Sequence, residues 1–305
     1  MKTELTPPLY WGMTDLALEV ARVAMENRAT VEVDEVEKGQ ALESVHGQAL
    51  RDYQQFEQLI AGAMAFLKKG KHPAGGVAVD MGSGTGVGAC ILSRLAAVEK
   101  VFAVEFSAHF VEQVMPLVFE KYHARIEKIQ RVVSDFNHLD IEDHSLGIIL
   151  DIDSFHHSED LDRTLQECQR VLAPGGAIIA IDRAWSDRYT RAQLEAKLDT
   201  EFPEHLKHKY NIPLDQHFTR RDFGEHEYTI QQWFDFFKRN GFEPSVFLLR
   251  HPPALNRFWL RLPTFDFSIA LSSLLYRIGF RRLWAYGFSQ ARVMFVCTKV
   301  PDGRG

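Results

Sequence analysis

Three cysteines in 305 residues, Cys90, Cys168 and Cys297, are odd in number and far apart, which excludes a disulfide framework. Each lies inside an apolar pattern, so buried reduced thiols and a cytoplasmic setting are expected. No apolar run is long enough to cross a bilayer, and the opening MKTELTPPLYWGM lacks the apolar stretch of an export signal. Positive charge is also short: the net charge is −6, so no general affinity for nucleic acid is expected. There is no internal repeat, no low-complexity tract, no paired-histidine spacing H-x-x-x-H, and no serine or cysteine in a nucleophile elbow. Neither a metal site nor acyl-transfer chemistry is expected on that ground.

What is present begins with a hydrophobic content of 46%, enough for a sizeable core in one elaborated domain or two modest ones. Residues 1–72 read as a helical cap, with LALEVARVAM and FEQLIAGAMAFLKKG at three-to-four spacing around an acidic surface piece, EVDEVEKGQ. From residue 76 strand and helix signals alternate: GVAVD, GACILSRLA, VFAVEF, AHFVEQVMPLVF, IQRVVSDF, LGIILDID, DLDRTLQECQRVL, GAIIAIDRA. Such alternation builds βαβ units, an α/β domain with a parallel sheet covered by helices on both faces. Ser158 reads as an N-cap, and Thr190 with Gln193 and Thr229 with Gln232 fit capping boxes. EPSVFLLR and ARVMFVCTK would close the sheet.

The chemistry starts at VDMGSGTGVGA, residues 79–89, where four glycines alternate behind an aspartate between a strand and a helix. Bare backbone at a helix N-terminus lets a ligand approach closely. Asp80 stands where an anion would gain nothing but a cationic ligand would. Glu105 ends the next strand, where a carboxylate can accept both hydroxyls of a ribose. Asp135 follows the third, with Phe136 beside it: an acceptor for an exocyclic amine and an apolar surface for a purine. Together they describe a nucleoside that carries a positive group.

VDMGSGTG, VEFS, SDF and FHHSEDLDRTLQECQRVLAPGG, in this order, resemble the class I S-adenosylmethionine-dependent methyltransferases, in particular the small-molecule branch that methylates quinones, sterols and natural products. The resemblance covers residues 75–185. It implies a Rossmann-like, doubly wound, mostly parallel seven-stranded sheet, with the helical cap before it and a helical insertion between the last two strands. It also implies S-adenosyl-L-methionine as cofactor and S-adenosyl-L-homocysteine as product. Asp80, Gly82, Ser83, Gly84 and Gly86 would hold its methionine end, Glu105 the ribose with Phe106 alongside, and Asp135 with Phe136 the adenine. The fourth strand departs from the family by opening on Gly147 in place of aspartate, and its end carries Asp151, Ile152 and Asp153, one of which would meet the cofactor's ammonium.

A sulfonium donor is already activated, so the protein has mainly to align it with the acceptor and exclude water. An oxygen acceptor also needs a proton removed, for which histidine suits neutral pH. The candidates are His157 and His156 after the fourth strand, and His226 in GEHEYT, with Glu225 or Glu227 to orient it. The domain plan is then a cap at 1–72, a cofactor core at 73–184, a substrate-region excursion at 185–228, and the rest of the core at 229–305. That last part carries a basic, aromatic insertion at 251–290. Between residues 254 and 290 lie five arginines, one acid and nine aromatics, a segment of charge +4. It suits a lid over an amphipathic or anionic small-molecule acceptor, a membrane-surface contact, or helices packed on the core. Two other readings are an NAD(P)-dependent oxidoreductase, which has no use for Asp80, and a methyltransferase-like binding protein without turnover.

Overall fold

Apolar, β-branched runs of five to eight residues are cheapest as central strands buried on both faces, and alternating helices supply the two covers. The computed structural model describes residues 5–13, 40–73, 75–209, 212–248 and 290–300. In chain order these form β1 (Leu9–Tyr10), α1 (Gln40–Lys69), β2 (Gly76–Met81), α2 (Val87–Arg94), β3 (Val98–Glu105), α3 (Met115–Lys121), β4 (Ile129–Val133), β5 (Leu146–Ile152) and α4 (Leu161–Val171). Then follow β6 (Leu172–Trp185), α5 (Arg191–Leu198), α6 (Glu204–Lys209), α7 (Ile230–Arg239), β7 (Phe242–Leu248) and β8 (Gln290–Lys299). One sheet contains all eight strands in the order β1-β4-β3-β2-β5-β6-β8-β7. The strands pair in parallel from β1 through β6, whereas β8 runs antiparallel to both β6 and β7.

Residue parity sorts the core into two layers. Ala78, Leu150 and Ile179 face Leu59, Ile60 and Leu67 of α1 and the helices α2 and α3. Val79, Ile149, Ile178 and Phe295 face α4 and α7. On this second face the fully buried Trp233 stacks on Phe237, and both lie against Phe295, at centroid distances of 5.4–6.0 Å. Burial of each such ring stabilises the fold by about 2–3 kcal/mol.

The strand count is eight, not seven. The outer edge of β4 would otherwise be bare, and residues 5–13, expected in the helical cap, cover part of it instead. Trp11 donates its amide to Val133 (3.0 Å), and Arg131 and Gln130 donate to the carbonyls of Thr6 and Pro7 (3.0 and 2.9 Å). The N-cap of α4 is Asp160, which accepts the Arg163 amide (3.1 Å), while Ser158 bonds Thr164 across the turn (2.7 Å). Both capping boxes are present, at Thr190 with Gln193 and Thr229 with Gln232. The helix expected at LALEVARVAM and the insertion after β7 lie outside the described residues.

The excursion after β6 has its own small core of Phe202, Ile212, Phe218 and Phe223. Beside it the buried Lys207 ammonium donates to Glu201 (2.6 Å) and to the carbonyls of Gln216 and Leu214 (2.7 and 3.2 Å). Methionine at position 207 would leave those carbonyls unpaired. Lys207→Met is therefore expected to speed limited proteolysis within 199–220 at least tenfold, read by mass mapping of the fragments.

Candidate active site

The sequence GSGTG cannot continue β2 and does not yet begin a helix. Gly82, Gly84 and Gly86 all take positive φ, at +65°, +50° and +88°, so the chain turns sharply before α2 starts at Val87. The turn is held from within: the Ser83 amide donates to the Val104 carbonyl (2.9 Å), its hydroxyl to the Asp80 carbonyl (2.8 Å), and Gly86 donates to Ser83 (2.8 Å). A side chain at Gly82 would collide with Ser154, whereas one at Gly84 would meet nothing within 4 Å. The loop thus has a packed side at Gly82 and an open side at Gly84.

Asp80 lies under this loop, 1% exposed, and its Oδ2 accepts the Ala89 amide (2.7 Å) at the start of α2. Gly88 must be glycine, since a Cβ there would sit 2.4 Å from Asp80 Oδ1. Burial pushes the Asp80 carboxyl up to about 7, assisted by the charge of Glu105. Glu105 ends β3 beside the loop: Gly84 donates its amide to Oε2 (2.9 Å) and Ser107 to Oε1 (3.0 Å). The half-buried Phe106 comes next in the chain. Asp135, two residues past β4, accepts the Asn137 amide (2.8 Å), and Phe136 meets Phe155 edge-on at 6.3 Å.

At the end of β5, Asp151 is fully buried; its Oδ1 accepts the amides of Phe155 (2.8 Å) and Ser154 (3.1 Å), while its Oδ2 has no hydrogen-bond partner among the described residues. Burial, with the charge of Asp182 added, raises its carboxyl well above the usual range. Ile152 is half-buried, and Asp153, in the left-handed region at φ +52°, pairs with Arg292 of β8. Burial lifts Asp153 to about 6 against the pull of Arg292.

The three histidines converge on the ends of β5 and β6. His156 is 3% exposed, its Nδ1 lies 2.7 Å from Asp182 Oδ1, and its ring is 4.2 Å from that of His157. His157 in turn meets Phe223 of the excursion edge-on at 5.9 Å. Residue 226 is tied to the same turn, since its amide and its ring Nδ1 both reach the His156 carbonyl (2.8 and 3.2 Å). A carbonyl can only accept, so Nδ1 of His226 carries the proton and Nε2 the lone pair. Burial lowers the pKa of both His156 and His226, leaving them neutral at pH 7. Tyr53 is buried and stacks on Tyr122 at 4.5 Å.

Sequence reasoning passed over Asp182, Arg183 and Arg220. Arg183 and Arg220 both pair with Glu225 (2.7 and 2.8 Å), and Arg220 also with Glu227 (2.7 Å). A signal existed for Asp182, an acid inside the apolar strand AIIAIDRAW, much as Asp80 stands in GVAVDM. Arg220 is half-buried and pairs with acids only five and seven positions further on, yet no local pattern marks the pairing.

The parallel sheet, its reversed β8 and the glycine turn at the carboxyl end of β2 make a Rossmann-like α/β fold of the methyltransferase type. Residues 79–180, about a third of the chain, match the family model described as "Methyltransferase domain". Among solved structures, the chain is similar to a putative sarcosine dimethylglycine methyltransferase from Galdieria sulphuraria at 18% identity, covering 81% of this chain and 86% of that one with a TM-score of 0.52. It is similar at 17% identity to the geranyl diphosphate C-methyltransferase of Streptomyces coelicolor A3(2), crystallised with S-adenosyl-L-homocysteine, over 78% of this chain and 75% of that one (TM-score 0.49). The YcgJ protein of Bacillus subtilis is 16% identical over 80% of this chain and 99% of its own (TM-score 0.48). No curated protein matches the chain. No described helix is long and apolar enough to cross a membrane.

Proposed function

We propose that this chain methylates an oxygen of a small organic acceptor, with the cofactor on the Glu105 side of the glycine turn and the acceptor at the histidine cluster. The observation that carries this reading is the position of Glu105, whose carboxylate meets the Gly84 amide at the open side of the turn. Glu105 would bind the ribose hydroxyls, Asp135 and Phe136 the adenine, and the loop with Asp151 the methionine end. Asp151 fits that part because its Oδ2 is buried without a hydrogen-bond partner among the described residues. When bound, S-adenosylmethionine supplies a methyl group activated by the sulfonium charge.

The residues of the chain supply orientation and a proton acceptor. His226 would take the acceptor's proton on Nε2, because its Nδ1 is spent on the His156 carbonyl and its ring is neutral. The excursion, joined to the site through Phe223 and His157, would screen the reacting atoms from water. Acceptors of amphipathic or anionic character suit the arginines and aromatics of residues 254–290, a segment that up to residue 289 lies outside the described residues.

Glu105→Ala tests the reading. Loss of hydroxyl bonds to a charged acceptor is expected to weaken S-adenosylmethionine binding by about 10- to 100-fold in calorimetry. Unchanged affinity removes Glu105 from the cofactor site, and tighter binding of NAD(H) than of S-adenosylmethionine would favour the oxidoreductase.

A further inference from the structure

His156, His157 and Glu225 each offer one donor atom, and these atoms all lie within 4.8 Å of one another. Sequence spacing conceals the group, since Glu225 comes from the excursion 68 positions after His157. It is delivered by its neighbour: the His226 amide donates to the His156 carbonyl (2.8 Å), which seats the loop on the turn Phe155–His157. We propose that these three side chains bind a borderline divalent cation of the zinc or cobalt type. The site lies in the histidine cluster where the acceptor is proposed to bind, but its argument does not rest on that reading.

Two features besides proximity support it. First, the donors are oriented from behind. The fully buried Asp182 engages His156 Nδ1 at 2.7 Å, which presents Nε2 as the lone pair; a carboxylate behind the second ring nitrogen is the usual support of a metal-binding histidine. Arg183 and Arg220 both pair with Oε2 of Glu225, at 2.7 and 2.8 Å, which fixes the carboxylate beside the histidines. Second, the charge allows a cation. The two guanidinium groups are shared with Glu227, at 3.8 and 2.7 Å, so Glu225 is not their sole counter-ion.

Two imidazoles and one carboxylate select zinc-like cations over magnesium or calcium, which prefer all-oxygen shells. Ligands of a tetrahedral zinc stand about 3.4 Å apart, given bonds of about 2.1 Å. Contraction of the triad by up to about 1.4 Å, within the reach of side-chain rotation, would complete the shell. Three protein ligands leave at least one position for water or an external oxygen ligand, and His157 is the half-buried member through which such a ligand would enter.

Titration of the metal-free full-length protein with Co2+, followed by visible absorption, is expected to show one saturable site with d–d bands of a four- or five-coordinate ion. His157→Ala and the nearly isosteric Glu225→Gln should each weaken that site at least 100-fold, and Asp182→Asn by about 10- to 100-fold through loss of orientation. Circular dichroism and thermal unfolding check that each variant is folded, and Glu225→Gln carries the test should His157→Ala misfold. Absence of saturable Co2+ binding overturns the proposal. So does binding of equal strength in folded Glu225→Gln, which would assign the ion to other histidines. Neither outcome touches S-adenosylmethionine binding, which calorimetry reads separately.

Discussion

Gly82→Ala is expected to destabilise the protein by about 2–5 kcal/mol and to weaken S-adenosylmethionine binding at least 100-fold. Two costs add. At φ +65° any Cβ is strained, by roughly 1–2 kcal/mol. The new methyl would also lie 2.4 Å from Ser154 Cβ and 3.0 Å from the Phe136 ring. Neither neighbour is free to yield. The Ser154 hydroxyl donates to the Met81 carbonyl (2.6 Å) and its amide to Asp151 (3.1 Å), while Phe136 is held edge-on against Phe155. Overpacking of this kind costs about 1–3 kcal/mol beyond the strain. Relief must come from the loop, which is the proposed cofactor site. Gly84→Ala is the control: its φ of +50° carries the strain, but its Cβ meets no atom within 4 Å. It should lose only about 1–2 kcal/mol of stability, while its methyl enters the open side of the turn and lowers affinity. Urea unfolding and calorimetry separate the two, and equal stability losses in both variants would show that the Ser154 contact is unimportant.

Asp80→Asn is expected to alter the pH dependence of stability more than stability itself. The carboxyl titrates near 7 in the folded chain because burial disfavours its ionised form, against about 3.9 when unfolded. An acid whose pKa is raised by folding holds its proton more tightly in the native state. The stability so contributed is complete below about pH 4 and is lost as the pH climbs through about 7. The slope over that window approaches 1.4 kcal/mol per pH unit, a total of a few kcal/mol. Asparagine does not titrate and its amide oxygen can still accept from Ala89. The stability of wild type minus that of Asp80→Asn should therefore fall between pH 4 and 7 and level off above. Urea unfolding of both proteins at pH 4.5, 6 and 8 measures it, and a flat difference would show that Asp80 is ionised throughout. A cationic cofactor favours the carboxylate, so S-adenosylmethionine uptake near pH 6.5 should release part of a proton, seen as a buffer-dependent calorimetric heat.

Where the governing physics is local, residues announce their role. GVAVD, LGIILDI and GAIIAID become central strands because β-branched apolar runs bounded by glycine or polar turns have no better place. Thr190 with Gln193 and Thr229 with Gln232 start helices because both bonds of a capping box close within four residues. The glycine turn is legible for the same reason, and so is the acid at the end of β3. The edge strand Leu9–Tyr10 is not, because two residues carry no period; it exists only because the outer edge of β4 needs partners. Ser158 reads as a cap by composition, yet Asp160 has the geometry, and the difference is two residues of turn that propensity does not resolve.

The sequence by itself determined the α/β alternation, the bare turn after β2 and the acidic residues at the ends of β2 and β3 and just past β4, because strand, turn and cap preferences act over a few positions. Only the tertiary structure decided that Asp182 stands behind His156, that Arg183 and Arg220 clasp Glu225, and that Glu225 meets His157. Those partners come from different strands and from the excursion, up to about seventy residues apart, and nothing short of the folded sheet brings their charges within reach of one another.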